Sequence, residues 1–207
     1  MANELLLSFL EHSAVREMAN VGLGNATTAL SNLTGRTFGM DVPDVESLEF
    51  EEIPNLIGGS ESQAVGIYMP ITGDVPGHIV FLMPWHSAQA LWRILLGSHP
   101  QSTFEVSEMD ASAMLEVGNI INSNFLNAIA DMTGFAMHAT PSSLAVEMCS
   151  AIIDGIIVEA SDKDHYALAI RTIINDGEGS IEGFFVYIPS AWGLQVMVSS
   201  LGLSEAA

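Results

Sequence analysis

The stretch "EMANVGLGNATTALSNLTG" at residues 17–35 decides the fold, because it returns later in the chain as "EVGNIINSNFLNAIADMTG" at residues 116–134. At an offset of 99, Glu17 meets Glu116, Asn20 meets Asn119, Asn25 meets Asn124 and Ala29 meets Ala128, while Thr34 and Gly35 meet Thr133 and Gly134. Taken alone, Gly22 and Gly24 followed by Asn and Thr invite reading as a phosphate-cradling turn. That motif needs a strand before its glycines and a helix after them. Here Leu5 to Met18 carry apolar side chains at helical spacing, and Ala26, Ala29, Leu30 and Leu33 continue it, so one long helix runs through the glycines. The second copy has Ile121 and Ser123 in their place, which argues against a shared phosphate-binding role.

Working outward, each long helix ends in Thr-Gly, a left-handed C-terminal cap, and a short strand-like run follows, "RTFGMDV" at 36–42 and "FAMHAT" at 135–140. Next come helical candidates with mixed acidic and apolar residues, 44–58 and 143–160. Two strands per half are expected from β-branched and aromatic runs, 63–70 and 77–84, then 166–174 and 181–189. Each half closes with a helix, 85–97 and 190–202. Short turns between strands favour antiparallel pairing. The expected fold class is therefore α/β, an α+β two-layer sandwich. It is a tandem pseudo-twofold repeat of α-β-α-β-β-α units with a mainly antiparallel sheet covered by helices. The whole of 1–207 reads as a single domain made of two repeats, about 1–98 and 107–203, joined by a linker at 98–108.

Composition narrows the function. Twenty-five acidic residues against five basic ones leave a net charge of -20, with Lys163 the only lysine. Such a surface repels phosphate backbones and anionic lipid heads, so neither nucleic acid nor membrane is an expected partner. A single cysteine, Cys149, precludes an intrachain disulfide, and the chain starts without a basic signal region, so a cytoplasmic location is expected.

In the first long helix Ser13, Glu17 and Asn20 stand at relative positions 0, 4 and 7, on one face; Ser112, Glu116 and Asn119 repeat the spacing. A solvated stripe is the bland reading of one such set. Two sets at one offset call for more. An Asn carboxamide can accept a hydrogen bond from a water and aim its lone pair, although it is no base, and the neighbouring Glu can hold a cation supplied by a partner. That division suits phosphoryl transfer, where positioning and charge neutralisation supply most of the catalysis. Glycoside hydrolysis wants two carboxylates and a metal site wants more ligands.

These residues carry a resemblance to the CheC, CheX and FliY phosphatases of bacterial and archaeal chemotaxis, whose signature is Asp or Ser, three residues, Glu, two residues, Asn, then twenty-two residues and Pro. Ser13, Glu17, Asn20 and Pro43 match it in full, whereas only residues 120–140, one fewer, separate Asn119 from Pro141. Two sites on one such chain look most like the CheC branch. The resemblance implies hydrolysis of the aspartyl phosphate of a CheY-like receiver. Asn20 and Asn119 would orient the attacking water, Glu17 and Glu116 would pair with the receiver's Lys, and Ser13, Ser112, Pro43 and Pro141 would support them. It implies no cofactor of the chain's own, since Mg2+ is expected in the receiver. It also implies CheD, a receptor glutamine deamidase, as a partner near residues 145–160. The rival reading is a non-catalytic adaptor or flagellar-switch-like protein on the same fold, sequestering a receiver or CheD.

Other features are set aside. His12, His78, His86, His99, His138 and His165 lack ligand spacing, so no metal is expected. The cluster Asp41, Asp44, Glu46, Glu49, Glu51 and Glu52 reads as a solvated face, and the eleven methionines as core filler. Gly22, Gly24 and Gly118 cost helix stability and serve either close packing or the approach of a partner.

Overall fold

The computed structural model describes residues 9–160, 166–177 and 179–190, together with Gly193 and Val196. The two long helices form as expected, α1 over Phe9–Thr34 and α3 over Glu108–Thr133. Gly35 and Gly134 take left-handed φ values of 69° and 77° just past them, and each donates its N–H to the carbonyl four residues back, at 2.9 and 2.8 Å. Ser107 and Asp110 close a capping box on the first turn of α3, each accepting the other's backbone N–H. Trp92, from helix α2 (Trp85–Leu96), donates its indole N–H to the Asp110 carbonyl at 2.9 Å and ties that turn to its neighbour.

Seven antiparallel strands make one sheet: β1 (Gly39–Glu49), β2 (Gln63–Gly73), β3 (Gly77–Pro84), β4 (Met137–Ala139), β5 (Ser143–Met148), β6 (Tyr166–Asn175) and β7 (Ser180–Pro189). Their order is β1-β6-β7-β3-β2, with β4 and β5 pairing successive stretches of the outer edge of β2 as two pieces of one interrupted strand. Exchanging β1, β2 and β3 for β4/β5, β6 and β7 merely reverses this order. Gly39–Glu49 and Met137–Met148 thus occupy the two edges.

Both edges correct the sequence reading. The helix expected over 44–58 starts only at Phe50, as a 3-10 helix over Phe50–Ile57, and residues 44–49 belong to β1. A bulge between Asp41 and Asp44 turns Val42 and Val45, three residues apart, to the same core, and this spacing mimics a helix. Likewise Ser143–Met148 is strand β5, and α4 runs over Cys149–Ala160. Leu144 and Val146 lean on one core while Ala145 leans on the other, so this strand lacks a clean polar face. The helix expected over 190–202 lies outside the described residues except for Ser190, Gly193 and Val196.

The class and the helix-covered antiparallel sheet are as expected, but the sheet carries helices on both faces. On the first face α1, α2 and α3 cover Val65, Ile67, Phe81, Met83 and Phe185. Phe81, Phe125 of α3 and Phe185 stack there, with centroids 4.9 and 5.2 Å apart. On the second face the 3-10 helix and α4 cover Val80, Leu82, Phe184 and Val186. Strands buried on both sides have no polar face to reveal which way they point, and a two-layer expectation therefore misses this smaller layer.

Candidate active site

Helix α1 buries Val15, Met18, Ala19, Leu23, Ala26 and Leu30, the three-and-four spacing of a core-facing side. The same rotation turns Ser13, Glu17 and Asn20 outward, and all three are exposed. In α3 the buried side is Met114, Val117, Ile121, Phe125 and Ile129, and Ser112, Glu116 and Asn119 are exposed. Glu and Asn three residues apart are neighbours on a helix surface, with roughly 5–6 Å between their Cβ atoms. Among the described residues no hydrogen bond or ion pair engages any of these four side chains. Asn124, on the same helix, shows the alternative, since its amide donates to the Ile120 carbonyl at 2.8 Å.

Pro43 is exposed within the bulge of β1, and Pro141 is exposed in the gap between β4 and β5. Proline lacks an N–H to give to a ladder, so both mark irregular stretches of edge strands. The break at Pro141 is anchored by Thr140, whose backbone N–H and hydroxyl both donate to the Pro70 carbonyl, at 3.2 and 2.9 Å. These prolines therefore stand on edge strands, α1 lying along β1 and α3 along β4 and β5, rather than on the helix faces that carry Glu and Asn.

The glycines divide by use. A Cβ at Gly22 would stand 2.8 Å from the Cα of Phe125, so this glycine lets α1 and α3 touch backbone to backbone. One at Gly118 would run into the Ile67 side chain, so that glycine seats α3 on β2. Beside it lies a residue that sequence reasoning passed over. Asn122 is fully buried, donates to the Ile67 carbonyl at 3.4 Å, and leaves its own carbonyl oxygen without a partner. Its one sequence signal is that it matches an apolar residue, Leu23, in the other helix.

Burial pushes the Cys149 thiol up to about 11, which keeps it protonated at neutral pH and poorly nucleophilic. Among the described residues no group of three or more His, Cys, Asp or Glu is placed to hold a metal ion. No described helix is long and apolar enough to cross a membrane. The acidic cluster lines the β1 edge and the turn after it, where charge discourages another strand from pairing. Partial desolvation, then the nearby Asp44 and Glu52, raise the Glu46 carboxyl above its ordinary value.

The first stripe falls within a stretch similar to a known family. Residues 10–47, which hold the first stripe and Pro43, match the CheC-like family. The CheY-P phosphatase CheC of Bacillus subtilis strain 168 is 27% identical over 194 residues, covering 92% of this chain and 93% of that protein. The chain is similar to the CheC-like family. Its fold agrees with that of Thermotoga maritima FliY, at a TM-score of 0.78 and 16% identity over 96% of this chain and 98% of the other. The middle domain of FliM from H. pylori shares it as well, at a TM-score of 0.68 and 10% identity over 94% and 99% of the two chains. At these identities the two structures speak for the fold alone.

Proposed function

We propose that this CheC-like chain hydrolyses the aspartyl phosphate of a CheY-like receiver, with Glu17 and Asn20 on one helix and Glu116 and Asn119 on the other as its working pairs. One observation carries the reading. One exposed stripe, Ser, Glu and Asn, is identical at the matched positions, whereas exposed pairs outside it differ, Thr28 against Asn127 and Asn32 against Asp131, and buried pairs differ as well: Ala19 against Gly118, Gly22 against Ile121, Leu23 against Asn122, Ala26 against Phe125. Packing alone would hold the buried residues and let the surface drift. The similarity to a protein named as a CheY-P phosphatase supplies the substrate class.

The chemistry follows from the side chains. A docked receiver brings the phosphoaspartyl group with its own Mg2+, and a Glu on the helix pairs with the receiver's lysine. The Asn amide holds a water in line with phosphorus. The water oxygen bonds to phosphorus as the bond from phosphorus to the aspartyl oxygen breaks. The carboxylate leaves, and the proton lost by water ends on inorganic phosphate. No group of this chain has to become a covalent intermediate.

The two halves are read here as duplicated units of one domain, acting in the cytoplasm. The CheD contact implied by the resemblance is assigned to the second face, where β2, β5 and α4 line a groove of about 400 Å3 that includes Gly66, Ala145, Ile152 and Gly155. Val158 of α4 is 76% exposed, a large apolar side chain without cover from the fold itself.

Mixing the chain with a phosphorylated receiver from the same genome and following phosphate release tests the proposal. Catalytic release, many phosphates per chain, is expected. Tight receiver binding with no acceleration of phosphate loss would favour the adaptor reading.

A further inference from the structure

The two stripes agree at Ser, Glu and Asn, and differ on either side of the asparagine. Four residues before Asn20, and so on its face, stands Arg16, which is exposed; the matched position in α3 is Leu115, partly buried. Four residues after Asn20 stands Gly24, exposed; its match is Ser123, half-buried.

Both α1 residues lack a structural reason. Arg36 pairs with Asp176 at 3.5 Å, Arg171 with Glu182 at 2.6 Å, and Arg93 lies 2.9 Å from a ring nitrogen of His99. Among the described residues, Arg16 is the one arginine with no hydrogen bond or ion pair, in a chain whose net charge is -20. Glu17, the next residue, projects about 100° away round the helix and does not face it. Gly24 meets no non-neighbouring atom within 4 Å of an added Cβ, in contrast to Gly22 and Gly118. A mid-helix glycine with open space around it costs helix stability and gains no packing.

Resting on the function proposed above, we infer that the outward helix faces, the first on α1 and the second on α3, are chemically unequal. On the first, Arg16 hydrogen-bonds the anionic phosphoryl group of the docked receiver, and Gly24 leaves bare backbone against which the receiver closes on Asn20. A planar guanidinium suits phosphoryl oxygens, and a local positive charge offsets the repulsion that so acidic a protein exerts on an approaching phosphate. The second face lacks both devices and relies on Glu116 and Asn119 alone.

The test separates the faces. The Asn119→Ala protein works through the first face only and the Asn20→Ala protein through the second only, each assayed with a receiver phosphorylated by acetyl phosphate. Arg16→Gln is expected to lower kcat/KM of the first-face protein about tenfold or more, the scale for losing a hydrogen bond to a charged group. Arg16→Lys should recover part of that loss. Gly24→Leu should raise KM of the first-face protein, and neither variant should lower the thermal midpoint by more than a degree or so. The loss should be confined to the first-face protein. Equal losses in both backgrounds, a first-face protein indifferent to Arg16→Gln within about twofold, or an Asn119→Ala protein without turnover would each overturn the inference. Turnover retained by the Asn20→Ala, Asn119→Ala double variant would instead overturn the assignment of the two asparagines on which it rests, and is seen without any change at Arg16.

Discussion

The exposed Ser-Glu-Asn stripe of α1 and α3 and their buried faces compare differently at matched positions. Outward, Ser13, Glu17 and Asn20 recur as Ser112, Glu116 and Asn119, all exposed. Inward, the helices solve similar packing problems with different residues. Gly22 makes room for the other helix, and Ile121 fills space instead; Leu23 is apolar core, and Asn122 puts an amide into the same layer. A core tolerates such exchanges when volume is preserved overall, whereas a surface side chain that packs against nothing is held in place only by what it does to another molecule.

Several substitutions sharpen this contrast. The largest stability effect is expected at Gly22, where Gly22→Val pushes a branched side chain onto the Phe125 backbone; a loss of about 1–3 kcal/mol or more in a denaturant titration is expected. Two residues on, Gly24→Ala should act in the opposite sense, raising stability by up to about 1 kcal/mol because the added methyl meets open space and favours the helix. Asn122→Leu, which gives α3 the residue that α1 carries, removes a long hydrogen bond and an unpartnered oxygen together. Its cost should stay within about 1 kcal/mol, because the bond is long and the Ile67 carbonyl left behind belongs to a strand paired on both sides in the sheet. A cost of 3 kcal/mol would make Asn122 a pinning residue of the α3 to β2 contact.

The smallest effect is expected at the β1 edge. The Glu46 carboxyl is raised, first by desolvation and then by Asp44. In the unfolded chain the proton leaves at the ordinary carboxylate value, and in the folded chain at a higher pH. Folding is therefore penalised as pH rises through that interval, and the penalty persists at neutral pH and vanishes below the unfolded value. Asp44→Asn should remove part of it, raising stability at pH 7 by a few tenths of a kcal/mol, with no gain near pH 3.

Much of this architecture was legible before any coordinates. The long helices announce themselves through apolar spacing and Thr-Gly caps, and β2, β3, β6 and β7 through β-branched runs bounded by turns. Illegible stretches have two causes, edges and double burial. At β1 the bulge puts Val42 and Val45 at helical spacing, and acidic residues that guard an edge look like the solvated side of a helix. At β5 the side chains lean on two cores, so alternation disappears. The second helical layer is invisible because the central strands are apolar on both sides. In the candidate site, the Glu and Asn positions were readable from the repeat alone, because exposed polar residues at a fixed offset need no packing context. Asn122 was not, since a polar residue inside a helix reads as surface until its neighbours are known. The unpartnered state of Arg16 and the open space at Gly24 likewise require the fold.

The most direct test of the account is receiver dephosphorylation by the Asn20→Ala, Asn119→Ala double variant, with folding monitored by circular dichroism and thermal midpoint. A fall in turnover of about 10²-fold or more in a fully folded protein is expected, the scale for losing one preorganised polar group at a reacting centre. Unchanged phosphate release by that folded variant would contradict the claim that these two exposed amides position the attacking water.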